Sequence, residues 1–277
     1  MGEEDARPSR EAPQAPRSSL PPWPVNINVM DGARGPQKGA MLIVGFPTHG
    51  LVGSIVASYL VETLSMGLVA QVESEGLPPT VVMQDGVVAS PIRIYGSGMV
   101  CGPEKKCSQL LVAISDIQPE APLLNRLGQA LVDWAEAKGV EVVFVVEGKP
   151  VEGSEATGDV HVVALANVAG VPTLKSCGFP RASGMLTGFG AAVLRAGIGS
   201  KLPIVCLVSE AHRDHPDGRA AAKVIESVRP LVSQLPLDPE PLRQRAETLE
   251  VEQRKTLKSH RANVQKLTES PTGEMFR

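Results

Sequence analysis

Aromatic rings are scarce in this chain: two Trp, two Tyr and five Phe make up 3% of its 277 residues. A hydrophobic core must therefore be built from Val, Leu, Ile and Ala, as in many α/β folds. An excess of charge of one sign is also missing, because 27 Lys and Arg stand against 30 Asp and Glu, a net −3. Nothing in that balance attracts a phosphate backbone or an anionic lipid surface, so neither nucleic acid nor membrane is expected as a partner. Long apolar runs are lacking too. The longest, near Val140–Val146 and Pro203–Val208, fall far short of the ~20 residues of a membrane-spanning helix. The N-terminal stretch is acidic and Pro-rich, unlike a signal peptide, so the expected compartment is the cytoplasm.

Cysteine is limited to four residues, and none forms a C-x-x-C pair. Five scattered His supply no matching ligand set, so no metal and no cofactor is expected. A Cys101–Cys107 disulfide is sterically open but disfavoured in a reducing cytosol. Nucleotide-binding signatures are missing as well. Gly45, Gly50 and Gly53 match neither G-x-G-x-x-G nor G-x-x-x-x-G-K-[ST], and no Lys follows Gly50. Ser54 and Ser183 lack a G-x-S-x-G elbow, which leaves a hydrolase triad unsupported.

The most structured stretch runs from Met41 to Leu60. An apolar run, Met41 to Val44, leads into a turn holding Gly45, Pro47 and Gly50, and Leu51, Ile55, Ala57, Ser58 and Tyr59 then recur near helical spacing. This reads as a buried strand, a glycine-rich turn and a packed helix. The glycines are expected to serve tight turning and close strand–helix contact rather than a phosphate cradle.

The rest of the chain divides by composition. Residues 1–38 read as a disordered Pro-rich tail, although Trp23 to Val29 has the look of a short edge strand. Residues 39–238 read as one α/β domain. Within it, Gly67 to Val72 is a strand, and Thr80–Met83, Val87–Ala89 and Ile92–Tyr95 read as strands or a hairpin, with Asp85-Gly86 as the turn. Leu110–Ile114, a helix over Leu123–Ala137 stopped by Gly139, and Val140–Val146 make the clearest βαβ unit. Val160–Ala166 and Pro172–Lys175 read as strands, Gly184–Ala196 as a Gly/Ala-rich helix, Pro203–Val208 as a buried strand and Arg219–Leu235 as a helix. Residues 239–268 read as a long charged helix, and residues 269–277 as a flexible tail. Strands alternating with helices predict a three-layer α/β/α sandwich around a mostly parallel sheet.

Ligands of open α/β sheets gather at the carboxyl ends of the strands. The polar residues expected there are His49, Asp116, Glu147, Glu210, His212, Asp214 and His215. His212 and His215, with Asp214 or Glu210, have metal-ligand chemistry. The spacing supplies no third ligand, however, and Asp214 or Asp217 equally suits a helix cap. Lys149 and Lys175 are strand-end amines of the kind that form Schiff bases, but a solvated charge is the ordinary state of such a lysine. No strong catalytic set emerges.

Three stretches together carry a resemblance: Gly45 to Leu60, Ser183 to Leu194, and Ser209 to Ala222. They resemble the family of the second proteasome assembly chaperone and its archaeal relatives, over roughly residues 40 to 240. The resemblance implies a phosphorylase/hydrolase-like α/β fold without established enzymatic activity. It also implies a homo-oligomer that binds α subunits of the 20S proteasome. Several relatives carry a C-terminal hydrophobic–Tyr–any tripeptide, the signal that proteasomal ATPases use to dock between α subunits. This sequence closes on Met275, Phe276 and Arg277. Met275 fits the hydrophobic place, Phe276 stands where Tyr is expected, and Arg277 is the free last residue, which makes these three the expected partner-binding residues. The competing function is a small-molecule enzyme on a nucleoside-phosphorylase-like fold. It would need His49, Glu147, Glu210 and His212 to converge in one cleft. A carboxylate–amine ligase would need nucleotide and magnesium features that the sequence lacks.

Overall fold

The computed structural model describes residues 23–32, 35–84, 86–101, 107–151, 160–213 and 215–244. An eight-stranded sheet forms its middle layer. The strands are β1 (Asn26–Val29), β2 (Met41–Gly45), β3 (Gly67–Glu73), β6 (Ile92–Gly96), β7 (Leu110–Ser115), β8 (Val142–Pro150), β9 (Val162–Ala166) and β10 (Ile204–Ala211). Their spatial order is β1-β3-β6-β7-β2-β8-β10-β9. The four central strands, β7-β2-β8-β10, run parallel. On one flank β6, β3 and β1 continue antiparallel, and on the other β9 runs antiparallel to β10.

The central strands are buried along nearly their whole length because helices cover both faces, which is why they read as unbroken apolar runs. Successive side chains alternate between two cores. Ile43, Val112, Phe144 and Leu207 face α1 (Val52–Thr63) and α5 (Gly218–Val228). Leu42, Val44, Leu111, Val143 and Val145 face α2 (Ala121–Ala137) and α4 (Phe189–Ala196). Helix α2 lies against α4 at Gly128, where a Cβ would come within 2.8 Å of the Ala192 backbone. Among the described residues, no helix is long and apolar enough to cross a membrane.

Several elements differ from the sequence expectation. The 1–38 tail gives up its last third to the domain: Asn26 to Val29 pairs with Glu73 to Ala70, and Trp23, Val25 and Ile27 pack on the α2-side core. Pro172–Lys175 is not a strand but lies in the short helix α3 (Val171–Ser176), because proline suits the first turn of a helix. The helix expected from Gly184 starts only at Phe189, since Gly184 and Gly188 adopt φ of 135° and 95°, which an α-helix does not use. Cys101 and Cys107 are joined in a disulfide. Their backbones form an antiparallel bridge that holds the Cα atoms 4.8 Å apart, within the reach of the bond.

The hairpin is present as β4 (Val82–Gln84) and β5 (Val87–Ala89), paired only with each other as a separate two-stranded ribbon. Helix α5 ends at Val228, short of the expected Leu235. The charged helix begins within the described residues, at 240–244. It is held there by Arg243 ion-pairing with Glu226 and by burial of Leu242. The remainder of residues 239–268, and residues 269–277 with Met275, Phe276 and Arg277, lie outside the described residues.

Candidate functional site

The three stretches that carry the family resemblance converge at the carboxyl ends of the central strands. The first is anchored by glycine. A Cβ on Gly45 would sit 2.0 Å from the Gly53 carbonyl oxygen, and one on Gly53 would sit 2.6 Å from that of Phe46 and 2.8 Å from that of Val146. The end of β2 and the start of α1 therefore touch backbone to backbone, as the turn-and-contact reading of these glycines expects. The second stretch joins through a ring stack of Phe46 on Phe189, with centroids 3.9 Å apart and planes 8° from parallel. The third joins through the Asp217 backbone N–H, which donates to the Gly50 carbonyl at 2.8 Å.

Glu147 lies between the first two stretches and is 4% exposed. It is a β8 side chain on the α4 face of the sheet, where Gly190 lets α4 come in against its carboxyl group. The Gly190 backbone N–H donates to Glu147 Oε1, and the Thr48 hydroxyl is a second partner. Thr48 Oγ1 also accepts from the Gly148 N–H at 3.0 Å. Burial pushes the Glu147 carboxyl up from 4.5 to about 7, and the Gly190 and Thr48 hydrogen bonds hold back part of that rise. The neighbouring Cys206 thiol is pushed well up, by burial first and by the Glu147 charge second.

Asp217 organises the opposite face. Its carboxylate caps α5 by accepting from the Ala220 N–H at 2.9 Å, and it also accepts from the His212 N–H at 3.0 Å. This is the helix-cap reading, now fixed on Asp217. His212 stacks on His215 with centroids 4.2 Å apart and lies 3.9 Å from Asp217 Oδ2. Among the described residues, which exclude Asp214, no group of three or more His, Cys, Asp or Glu is placed to hold a metal ion.

The four residues that the enzyme reading required together take different immediate partners. Glu147 is enclosed on the α4 face, and His212 sits beside Asp217 at the start of α5. His49 is exposed. Glu210 is held in β10, its N–H donating to the His161 carbonyl at 3.1 Å. Asp116 pairs at 2.7 Å with Arg93, a 3%-exposed guanidinium that also donates to Tyr95 Oη and the Ser90 carbonyl. Lys149 and Lys175 are exposed. A cleft of about 720 Å³ lies at the amino ends of the strands instead, between α2 and the residues that enter β10, with Asp133, Glu136, Glu141 and Lys201 among its lining.

Sequence reasoning missed the buried Arg93. Its only signal was a charge inside an otherwise apolar strand, Ile92 to Tyr95.

The raised carboxyl makes a pH dependence. Between pH 4.5 and 7 the folded chain holds a proton on Glu147 that the unfolded chain has lost. The stability this contributes is complete below pH 4.5 and is lost as pH rises through 7. At 1.36 kcal/mol per unit, the loss is on the order of 3 kcal/mol. Glu147→Gln should flatten the fall in melting temperature between pH 5 and 8 and be the more stable protein at pH 8. Parallel melting curves for the two proteins would count against this assignment.

Solved structures share this architecture. Pyrococcus furiosus PbaA, an archaeal homolog of proteasome-assembly chaperone, is 27% identical with a TM-score of 0.70, the match covering 88% of this chain and 96% of that one. Pyrococcus furiosus PbaB, an archaeal proteasome activator, shares the fold at 20% identity and a TM-score of 0.69, over 84% of this chain and 98% of that one. A Mycobacterium tuberculosis proteasome-assembly chaperone homologue shares it at 15% identity and a TM-score of 0.59, over 85% and 97%. No curated protein sequence matches the chain. The PAC2 family model matches residues 42–257, through all three convergent stretches, and the chain belongs to the PAC2 family.

Proposed function

We propose that this chain is a non-enzymatic, cytoplasmic proteasome-binding protein. In this reading it acts as an assembly chaperone that engages α subunits of the 20S proteasome. Membership of the PAC2 family carries the reading, together with its likeness to the archaeal chaperone homolog PbaA. The chemistry of the strand ends agrees with it. Glu147 is occupied by Gly190 and Thr48, Asp217 by the α5 cap and His212, and Asp116 by Arg93. These groups work as internal fastenings of the loops. In the same proposal, Met275, Phe276 and Arg277 form the docking element, presented by residues 269–277 beyond the charged helix. Several copies in a homo-oligomer act together on one α ring.

Pull-down with the full-length chain as bait tests the function. Intact 20S particles or free α subunits are expected to be retained at micromolar concentration. Retention of neither would overturn the reading.

A further inference from the structure

We propose that the groove between β1 and α2 binds a polyproline helix, and that its occupant is this chain's own residues 13–22.

β1 is the last strand on its flank of the sheet, and between it and α2 runs a groove of about 450 Å³. Alternation along the chain turns Trp23, Val25 and Ile27 to one face, where they pack on the α2-side core and form one bank. Helical spacing sets Arg126, Ala130 and Asp133 on one stripe of α2, and these form the other bank. The chain has two tryptophans, Trp23 and Trp134, and both line the groove. Aromatic-lined grooves are the surfaces on which polyproline segments dock.

One lining residue lacks a partner. Trp134 is 8% exposed, and its indole N–H has no hydrogen-bond partner among the described residues. A buried donor is ordinarily paired, and a buried tryptophan usually finds an acceptor. A polyproline helix supplies one. It makes no internal hydrogen bonds, so its carbonyls are free, and its prolines bring no backbone donor of their own.

The segment that fits is tied to the rim. Residues 1–22 lie outside the described residues, and they join the domain at Trp23, itself part of the lining. They hold Pro8, Pro13, Pro16, Pro21 and Pro22. A Cβ on Gly76 would touch the Trp23 ring at 2.7 Å and Leu123 Cδ1 at 3.1 Å, which places Trp23 beside the first turn of α2. From Leu123 to Trp134 the helix rises ~16 Å at ~1.5 Å per residue, a span that about five to six polyproline residues cover at ~3.1 Å each. A turn with Pro22 at its second position lays the preceding residues back along β1. Pro16 then reaches Trp134, and Pro13, one polyproline turn away, stands on the same face. Arg17, the sole charged residue in residues 12–22, arrives at Asp133. That carboxylate is exposed and has a neutral partner in Gln129 at 2.8 Å. The cation of the lining, Arg126, lies nearer the Trp23 end. Being tethered, the segment faces the groove at an effective concentration in the millimolar range.

Tryptophan fluorescence of the full chain tests this, because both fluorophores line the groove. A triple variant, Pro13→Gly with Pro16→Gly and Arg17→Asp, should raise quenching by acrylamide at least twofold. A synthetic peptide of residues 12–22, which has no tryptophan, should bind the triple variant and bring quenching back down. It should bind the wild type at least fivefold more weakly, since the groove there is already filled. Trp134→Phe, added to the triple variant, keeps a ring in the core and removes the N–H, and should weaken the peptide about fivefold. Equal quenching in wild type and triple variant overturns the proposal. So does a peptide that fails to bind the triple variant, or whose affinity is unchanged by Trp134→Phe. Equal peptide affinity for wild type and triple variant also overturns it, and would leave the groove to a proline-rich segment of another protein.

Discussion

Removal of Met275, Phe276 and Arg277 is expected to abolish retention of 20S proteasome and to leave the fold and the oligomer mass unchanged. Pro271 and Gly273 are residue types that disfavour a continuous helix into these three positions. Phe276 then supplies one apolar ring for a partner pocket. Full burial of a Phe side chain stabilises by ~1.5–3 kcal/mol, which is about one to two powers of ten in affinity. A single tail also loses conformational freedom on docking, so alone it binds weakly. Several tails on one oligomer raise the effective concentration at a ring of α subunits, and the loss of each ring is multiplied accordingly. Phe276→Ala should therefore come close to the deletion. Phe276→Tyr, which restores the hydroxyl of the family tripeptide, should bind at least as tightly as the wild type. Surface plasmon resonance on immobilised 20S particles separates these cases. Undiminished affinity after the three-residue deletion would sink the tail and leave the family membership untouched.

The central sheet was legible because its strands are covered on both sides. Met41–Val44, Leu110–Ile114, Val140–Val146 and Pro203–Val208 are apolar at nearly every position, and only a two-faced core asks for that. Elements that depend on single backbone angles were less legible. Pro172 and Gly184 each fit two local structures, and the choice was made by Pro172 falling at the head of a turn and by positive φ at Gly184 and Gly188. The edge strand Asn26–Val29 was visible as a pattern but lay inside a Pro-rich stretch, and its place is set by β3, more than forty residues on.

The strand-end residues were located correctly and their partners were not. Glu147 follows five apolar residues and precedes a glycine, which places it at the carboxyl end of a strand and says nothing of what covers it. Its burial comes from α4, a helix whose approach depends on Gly190 and on the Phe46–Phe189 stack. His212 and His215 sit close in sequence and looked like ligands. The residue that organises them, Asp217, announced itself only as a cap.

Gly45→Ala should be among the most damaging single substitutions in the domain. The added methyl would fall 2.0 Å from the Gly53 carbonyl oxygen and 2.8 Å from the Ala57 Cβ. Those atoms belong to the first turns of α1, and α1 is pinned on its other side by Val52, Val56 and Leu60 in the core. No side chain can swing aside, so strand and helix must separate. Overpacking usually costs ~1–3 kcal/mol when side chains can adjust, and a backbone collision belongs at or beyond the upper end of that range. Gly53→Ala sharpens the argument, because alanine in a helix is normally favoured over glycine by ~1 kcal/mol. Here the added Cβ would meet the Phe46 and Val146 carbonyls at 2.6 and 2.8 Å, so the collision should reverse that sign. Gly67→Ala is the control, since a methyl there meets nothing within 4 Å, and it should stay within ~0.5 kcal/mol of the wild type. Urea unfolding of the three variants measures the order directly. A Gly45→Ala midpoint equal to that of Gly67→Ala would mean that β2 and α1 do not meet backbone to backbone. The convergence of the three family stretches on this turn would then need another cause.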